Sequence, residues 1–238
     1  MIKFPESDTF FNNLNNVMKW GEQEFQIIRP WLENKRKCID IGAHCGLTSL
    51  RYAQYFKEVH SFEPIHYELL KENTVDKNIT VYGHGISAKK CVLEIYPNPQ
   101  NSGGSIIPDG IIEKRYTGDN AQMPEVVPTT IKCLPLDYYE FKDVDLIKID
   151  VEGHILPVIN GMINTLKNNS PILQIELSDF EEINIPSHDI LDNLGYIKYW
   201  KIKNDAFYIK LKENSNDVPR TCKYYCGSNW STKEIVRG

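Results

Sequence analysis

The 238-residue chain predicts a doubly wound α/β fold: a mostly parallel sheet of seven strands, helices on both faces, and an antiparallel hairpin at the end. Three observations lead there. Strand-like apolar runs alternate with helical periodicity from residue 37 to residue 82, the pattern that parallel sheets require. The runs KCIDI and VDLIKI are apolar enough for strands covered on both faces. Near the end, two runs flank Asn204-Asp205, a pair that signals a tight hairpin.

Each element then follows in order. Residues 1–36 form a polar arm and a covering helix over 21–34, with Phe25, Ile28, Trp31 and Leu32 at helical spacing and Pro30 as a kink or break. Strand 37–41, helix 47–56, strand 59–62, helix 66–73 and strand 79–82 come next, and a further strand is expected at 92–96. The stretch at about 97–128 is rich in Pro, Gly, Asn and Asp and lacks periodicity. A loop of that length inside a compact domain reads as a lid or recognition loop on the way to another core strand. Strands 130–134 and 144–149 restore order. Pro157 then suits the first turn of a helix whose buried stripe is Val158, Ile159, Met162, Ile163 and Leu166. A strand at 172–177 and a helix at 187–194, capped by Gly195, precede the hairpin of 196–202 and 206–211. The main domain is therefore expected to span 37–213, with 214–238 as a tail.

The net charge of -5 gives no general basic field, which argues against nucleic acid as a partner. No apolar run is long enough to cross a bilayer, and the start MIKFPESDTF lacks the apolar core of a secretion signal, so a cytoplasmic location is expected. Of six cysteines, Cys222 and Cys226 form a lone C-x-x-x-C pair, too little for a zinc site, and no metal is expected.

The turn after the first strand carries the chemistry. Gly42 and Gly46 sit where a strand passes into a helix, the place at which such units bind ligands against free backbone N–H groups. The NAD fingerprint wants G-x-G-x-x-G, whereas this turn reads G-x-x-x-G with His44 where the middle glycine should be. Asp40 at the strand tip would repel a diphosphate and attract an ammonium or sulfonium group. S-adenosylmethionine carries both cations. Glu63, about twenty residues past Gly42, stands where such units place a ribose-binding acid.

In these residues the chain resembles the FkbM-type S-adenosylmethionine-dependent methyltransferases. The resemblance lies in CIDIGAHCGLTSL, HSFEPIHYELLKEN, GISAKKCVLEIY, LPLDYYEFKDVDLIKIDVEGHILPVINGM and PILQIEL, and DLIKIDVEG is its most specific part. It implies a Rossmann-like class I methyltransferase fold. It also implies that Asp40, Gly42 and Gly46 line the methionine end of the cofactor, that Glu63 holds the ribose, that Ile86 or Ser87 lies near adenine, and that His44 and Pro64 also belong to the cofactor site. Asp150, Glu152 and Gly153 would lie beside the transferable methyl. Relatives often carry an acid two positions after the signature glycine, and here that position is Ile155, preceded by His154.

A hydroxyl acceptor has to lose a proton, so a base within hydrogen-bond reach is useful. His154, Asp150 and Glu152 are the candidates. An extended tip would turn all three toward one pocket, and His154 is the first choice because much of a histidine is neutral at physiological pH. Asp150 and Glu152 have the alternative roles of capping the helix or orienting the cofactor. Asn101, Ser102 and Arg115 in the long insertion equip it for a polyhydroxylated acceptor, a glycan or a small polar metabolite. The leading expectation is an O-methyltransferase. A non-catalytic binding protein on the same fold is the alternative, with an NAD-dependent oxidoreductase third.

Overall fold

The computed structural model describes residues 2–15, 17–105, 107, 127–177, 181–210, 221–226 and 229–234, with backbone alone for 181–183, 221–226 and 229–234. Arg115, most of the long insertion and the side chains of Cys222 and Cys226 lie outside the described residues.

Five parallel strands make the centre: β1 (Lys37–Ile41), β2 (Glu58–Phe62), β3 (Ile79–Tyr82), β7 (Val144–Ile149) and β8 (Ile172–Glu176). The hairpin of β9 (Tyr196–Ile202) and β10 (Asp205–Lys210) pairs antiparallel with β8 through β10, completing the expected seven strands. Lys203 and Asn204 make the turn, one residue earlier than Asn204-Asp205, and Lys203 takes a φ of 52° there. Beyond the expected seven, β11 (Thr221–Cys226) pairs parallel with β9, and β12 (Asn229–Glu234) pairs with β11. The nine-stranded order is β12-β11-β9-β10-β8-β7-β1-β2-β3. The winding direction reverses between β1 and β7, and open α/β sheets bind ligands beyond the strand ends at such a point.

Two of the expected strands, one of them expected in the core, lie elsewhere. β5 (Cys91–Ile95) and β6 (Thr129–Leu134) pair antiparallel in a separate three-stranded sheet with the short β4 (Gly85–Ile86). Their composition explains the difference. In β6, Ile131 and Cys133 are buried while Thr130 and Lys132 beside them are exposed, the alternation of a strand with one wet face. The central strand β7 is buried over nearly its whole length instead.

The helices follow the apolar stripes. α1 (Thr9–Asn12) and α2 (Glu22–Ile28) precede the sheet, and Pro30 turns the end of α2 into a 3-10 turn over Arg29–Trp31. α3 (Leu47–Tyr52) and α4 (Tyr67–Asn73) connect the first three strands. The helix expected from Pro157 is two, α5 (Ile155–Asn160) and α6 (Ile163–Asn169), broken at Gly161, where an added Cβ would come within 2.1 Å of the Ser87 carbonyl oxygen. α7 (Glu181–Asn193) starts earlier than expected and contains Pro186. Among the described residues no helix is long and apolar enough to cross a membrane.

Period-2 alternation divides the core. Ile39 and Ile41 of β1 face the cluster with Ile147, Ile149, Val158 and Met162, whereas Cys38 faces Phe25, Tyr52 and Leu146 under α2 and α3. By the same alternation Asp40 shares the side of Cys38, and Lys148 the side of Leu146. A layer of buried polar groups thus lies beneath α3, at the ligand end of the sheet.

Candidate active site

A cavity of about 260 Å³ opens at the switch point. Its wall includes Gly42 and His44 from the turn after β1, Glu63, Pro64 and His66 after β2, and Ile86 of β4. Asp150, Glu152 and His154 after β7 line it too, as do Asn101 and Ser102 of the insertion.

The glycine turn is fixed from two sides. Gly42 has a φ of 80°, and a Cβ there would stand 1.8 Å from the Asp150 carbonyl oxygen, so β1 and β7 approach closely only because position 42 has no side chain. Gly46, with a φ of 95°, opens α3 below the cavity wall rather than in it. His44 takes a φ of 50°, an unusual conformation for a side-chain-bearing residue, and its backbone N–H donates to Glu63 Oε2 at 3.0 Å. Glu63 Oε1 accepts from the N–H groups of Ile65 at 2.7 Å and His66 at 3.0 Å. One carboxylate therefore ties the turn after β1 to the entry of α4 while facing the cavity.

Asp40 corrects an expectation. Its side chain is fully buried and does not line the cavity, because alternation along β1 turns it under α3. The Ser49 hydroxyl donates to Asp40 Oδ2 at 2.6 Å, and Asp40 Oδ1 lies 3.9 Å from Lys148 Nζ. Burial raises the pKa of Asp40 against the pull of that ammonium. The positive group that Asp40 meets is thus internal.

Lys148, Asp150 and Glu176 form the cavity floor. Lys148 Nζ donates to Asp150 Oδ2 at 2.7 Å. Burial works against the Lys148 charge, but Asp150 and Asp40 outweigh it and raise its pKa. Burial likewise works against the Asp150 charge, and Lys148 with the hydrogen bond from Glu176 outweighs it, leaving Asp150 below its usual range. Glu176 is pushed up to about 10 by its hydrogen bond to Asp150, by the Asp150 charge and by burial. Asp205, bonded by Gln174 Nε2 at 2.8 Å, is pushed up to about 6 by burial.

Asp150, Glu152 and His154 do share the cavity, but through a turn and not an extended tip: Gly153 has a φ of 86°, and the His154 N–H donates back to Val151 O at 2.7 Å. His154 Nε2 lies 3.1 Å from the Ser87 hydroxyl, which places Ser87 behind the wall.

The roof comes from two distant segments. Phe10, Phe11 and Trp20 of the N-terminal arm line the cavity together with residues 101–105. Buried Asp8 accepts from Phe11 N at 2.7 Å, from Ser102 N at 2.9 Å and from the Ser102 hydroxyl. His44 Nε2 stands 2.6 Å from Ser102 Oγ, and since that hydroxyl's proton goes to Asp8, His44 is the donor. Ser102, expected at the acceptor, is engaged in closing the roof. Burial and the neighbouring His66 drop the His44 pKa to about 4. Arg51 of α3 holds the arm from below, donating from Nη2 to Met18 O at 2.6 Å and Trp20 O at 2.8 Å and pairing with Glu22.

Lys148, Glu176, His66 and the arm aromatics are among the wall residues that sequence reasoning missed. A lysine inside the apolar run DLIKI and an acid ending LQIE carried a signal, since neither belongs in a strand covered on both faces without a partner. The arm offered none beyond scattered aromatics.

A switch-point cavity beyond parallel strands, a glycine turn closed by the acid of the next strand, and a sheet finished by an antiparallel hairpin together define the class I methyltransferase architecture. Residues 40–198 match the methyltransferase FkbM domain. The chain belongs to the FkbM methyltransferase family, whose enzymes use S-adenosylmethionine. No curated protein sequence matches it. Among solved structures it is similar to the FkbM methyltransferase of Methylobacillus flagellatus KT, at 19% identity over 74% of this chain and 43% of that one, with a TM-score of 0.49. This chain thus spans under half of that structure's length. It is also similar to magnesium protoporphyrin IX methyltransferase from Synechocystis PCC 6803, solved with bound S-adenosylmethionine, at 12% identity over 84% and 86% of the two chains and a TM-score of 0.46. At such identities and scores, family membership stands on the sequence match.

The groups present fit that cofactor. The cavity wall combines apolar side chains at Ile65, Ile86, Ile95 and Ile131 with carboxylates, as a nucleoside and a cation require. His66 Nε2 is buried in that wall with no hydrogen-bond partner among the described residues, an unmet polar atom of the kind a nucleoside hydroxyl or base edge satisfies.

Proposed function

We propose that the protein transfers the methyl group of S-adenosylmethionine to a hydroxyl of a glycan or small polar metabolite. The observation that carries this reading is the floor: Asp150, Glu152 and Glu176 face one cavity and, among the described residues, Lys148 brings the ammonium that meets them. Such a floor suits hydroxyl groups that must be held and deprotonated, and its excess of carboxyls favours a cationic donor over a diphosphate. Phe10 and Trp20, 41% and 45% exposed in the cavity wall, add flat apolar surface on which the face of a sugar ring can rest.

When bound, the cofactor supplies an electrophilic methyl group. The chain's own residues do the rest. Gly42 and His44 receive its methionine end, Glu63 and Pro64 its ribose, and Ile86 its adenine. Gly46 keeps the turn in shape, and Ser87 holds His154 from behind. Asp40 acts one step removed, by helping to keep Lys148 charged. Asn101 stands on the acceptor side, and the roof excludes water, which raises the chance of in-line attack.

The test is a labelled-methyl assay on extracts fractionated into glycans, lipids, peptides and nucleic acids, with calorimetry of S-adenosylhomocysteine beside it. Label should enter the glycan or small-metabolite fraction as a base-stable ether. Cofactor binding with no transfer to any fraction would turn the reading toward a binding protein, and label confined to peptides or nucleic acids would overturn the acceptor class.

A further inference from the structure

We propose that Glu176 is the base that takes the acceptor's hydroxyl proton, having given up its own proton when the cationic cofactor entered the cavity. The proposal rests on the methyltransferase reading above and singles out one carboxyl of its floor as the base.

The geometry comes from strand register. β7 and β8 run parallel, with Lys148 opposite Gln174 and Ile149 opposite Ile175, so Asp150 and Glu176 follow side by side at the strand tips. Both line the cavity, and their carboxyls are hydrogen-bonded to each other, which requires a proton between them. Lys148 stands on the Asp150 side, 2.7 Å from its Oδ2, and fixes the negative charge there. The proton therefore belongs to Glu176, whose pKa is about 10 in consequence. A carboxyl of that basicity is far better matched to an alcohol than an ordinary carboxylate is.

Charge balance supplies the second half. The groups facing the pair are Asp40 from β1, Lys148 on β7, Glu152 after β7, Asp205 from β10 and His44 from the glycine turn. His44, with a pKa of about 4, is neutral at physiological pH. Lys148 with ionised Asp150 and protonated Glu176 is a neutral set. A sulfonium brought into the same cavity adds one positive charge, and an opposite charge nearby typically lowers a carboxyl pKa by about one to three. Half-ionisation of Glu176 then falls between about pH 7 and about pH 9, and with Glu176 ionised the set is neutral again. In the transfer step the acceptor oxygen bonds to the methyl carbon as the C–S bond breaks and its electron pair stays on sulfur. The acceptor's O–H proton moves to Glu176, so the lost sulfonium charge is matched by the recovered proton. His154 is placed differently, with its ring against the Ser87 hydroxyl at the start of α5.

Calorimetry at about pH 8, above the Asp205 range, tests this with no acceptor needed. Titrations of the full chain with S-adenosylmethionine in two buffers of different ionisation enthalpy should show net release of up to one proton per site. S-adenosylhomocysteine, which lacks the sulfonium charge, should release none. Affinity for the charged form should rise with pH by up to about tenfold per unit, while affinity for the uncharged form stays flat. Glu176→Gln should bind S-adenosylmethionine without proton release. Binding by wild type without release overturns the proposal and leaves the methyltransferase reading standing, as does equal release with both ligands or release that persists in Glu176→Gln. Failure of the folded wild-type protein to bind either ligand overturns both.

Discussion

The floor and the roof of the cavity are held by opposite means. The floor is part of the sheet: Lys148, Asp150 and Glu176 sit on or next to central strands, and nearby Asp40 is fully buried. The roof is a short arm and the root of an insertion, joined through the Asp8–Ser102–His44 chain and through backbone bonds from Thr9 and Phe10 to the Gln100 carbonyl. Damage to the floor should therefore appear as lost stability. Damage to the roof should appear mainly as altered function, because few core contacts depend on it.

Lys148→Met is the severest challenge to that contrast. Removing the ammonium that meets both Asp40 and Asp150 leaves these buried carboxyls uncompensated, and chemical denaturation should show a loss of about 3–5 kcal/mol. A loss below about 1 kcal/mol would mean that the floor is not held by charge. Gly42→Ala comes next. Its methyl group meets the Asp150 carbonyl, so β1 and β7 must part, at a cost of about 2–4 kcal/mol, with S-adenosylhomocysteine affinity falling at least about tenfold.

Acid should reach stability through His44, where the roof joins the glycine turn. The His44 pKa is about 4 when folded and 6.5 when free, so the unfolded chain binds the extra proton between those values. The stability it contributes is full above about pH 6.5 and is lost as pH falls toward 4, by about 1–3 kcal/mol, and His44→Asn should flatten that part of the profile. Asp8→Asn should have the smallest effect, about 1 kcal/mol from a weakened cap. Its signature is kinetic: acceptor KM should rise while S-adenosylhomocysteine affinity changes less than about threefold. A large fall in cofactor affinity would show that the roof governs the donor site as well.

The sheet was legible because its cause is local. Alternation and apolar runs name β1, β2, β3, β7 and β8 without reference to anything distant, and the glycine turn and Glu63 follow from their ends. Asp40 was misplaced for an instructive reason. Its position in the chain is at the strand tip, but facing follows parity, and parity puts it with Cys38 under α3. β5 and β6 were strands as expected, yet which sheet a half-wet strand joins depends on partners far away in sequence. The arm was illegible because Phe10, Phe11 and Trp20 reach the cavity through tertiary bonds such as Arg51 to the Met18 and Trp20 carbonyls. No spacing rule encodes those bonds.

The stretch shared with the family begins at residue 40 and ends at 198. A gene fragment trimmed to those limits would delete Asp8, Phe10, Phe11 and Trp20, along with β1's first residues and most of the closing hairpin. What remained would be an open platform with a partner-seeking edge, poorly suited to soluble expression, and any acceptor screen run on it would be blind to whatever Phe10 and Trp20 select.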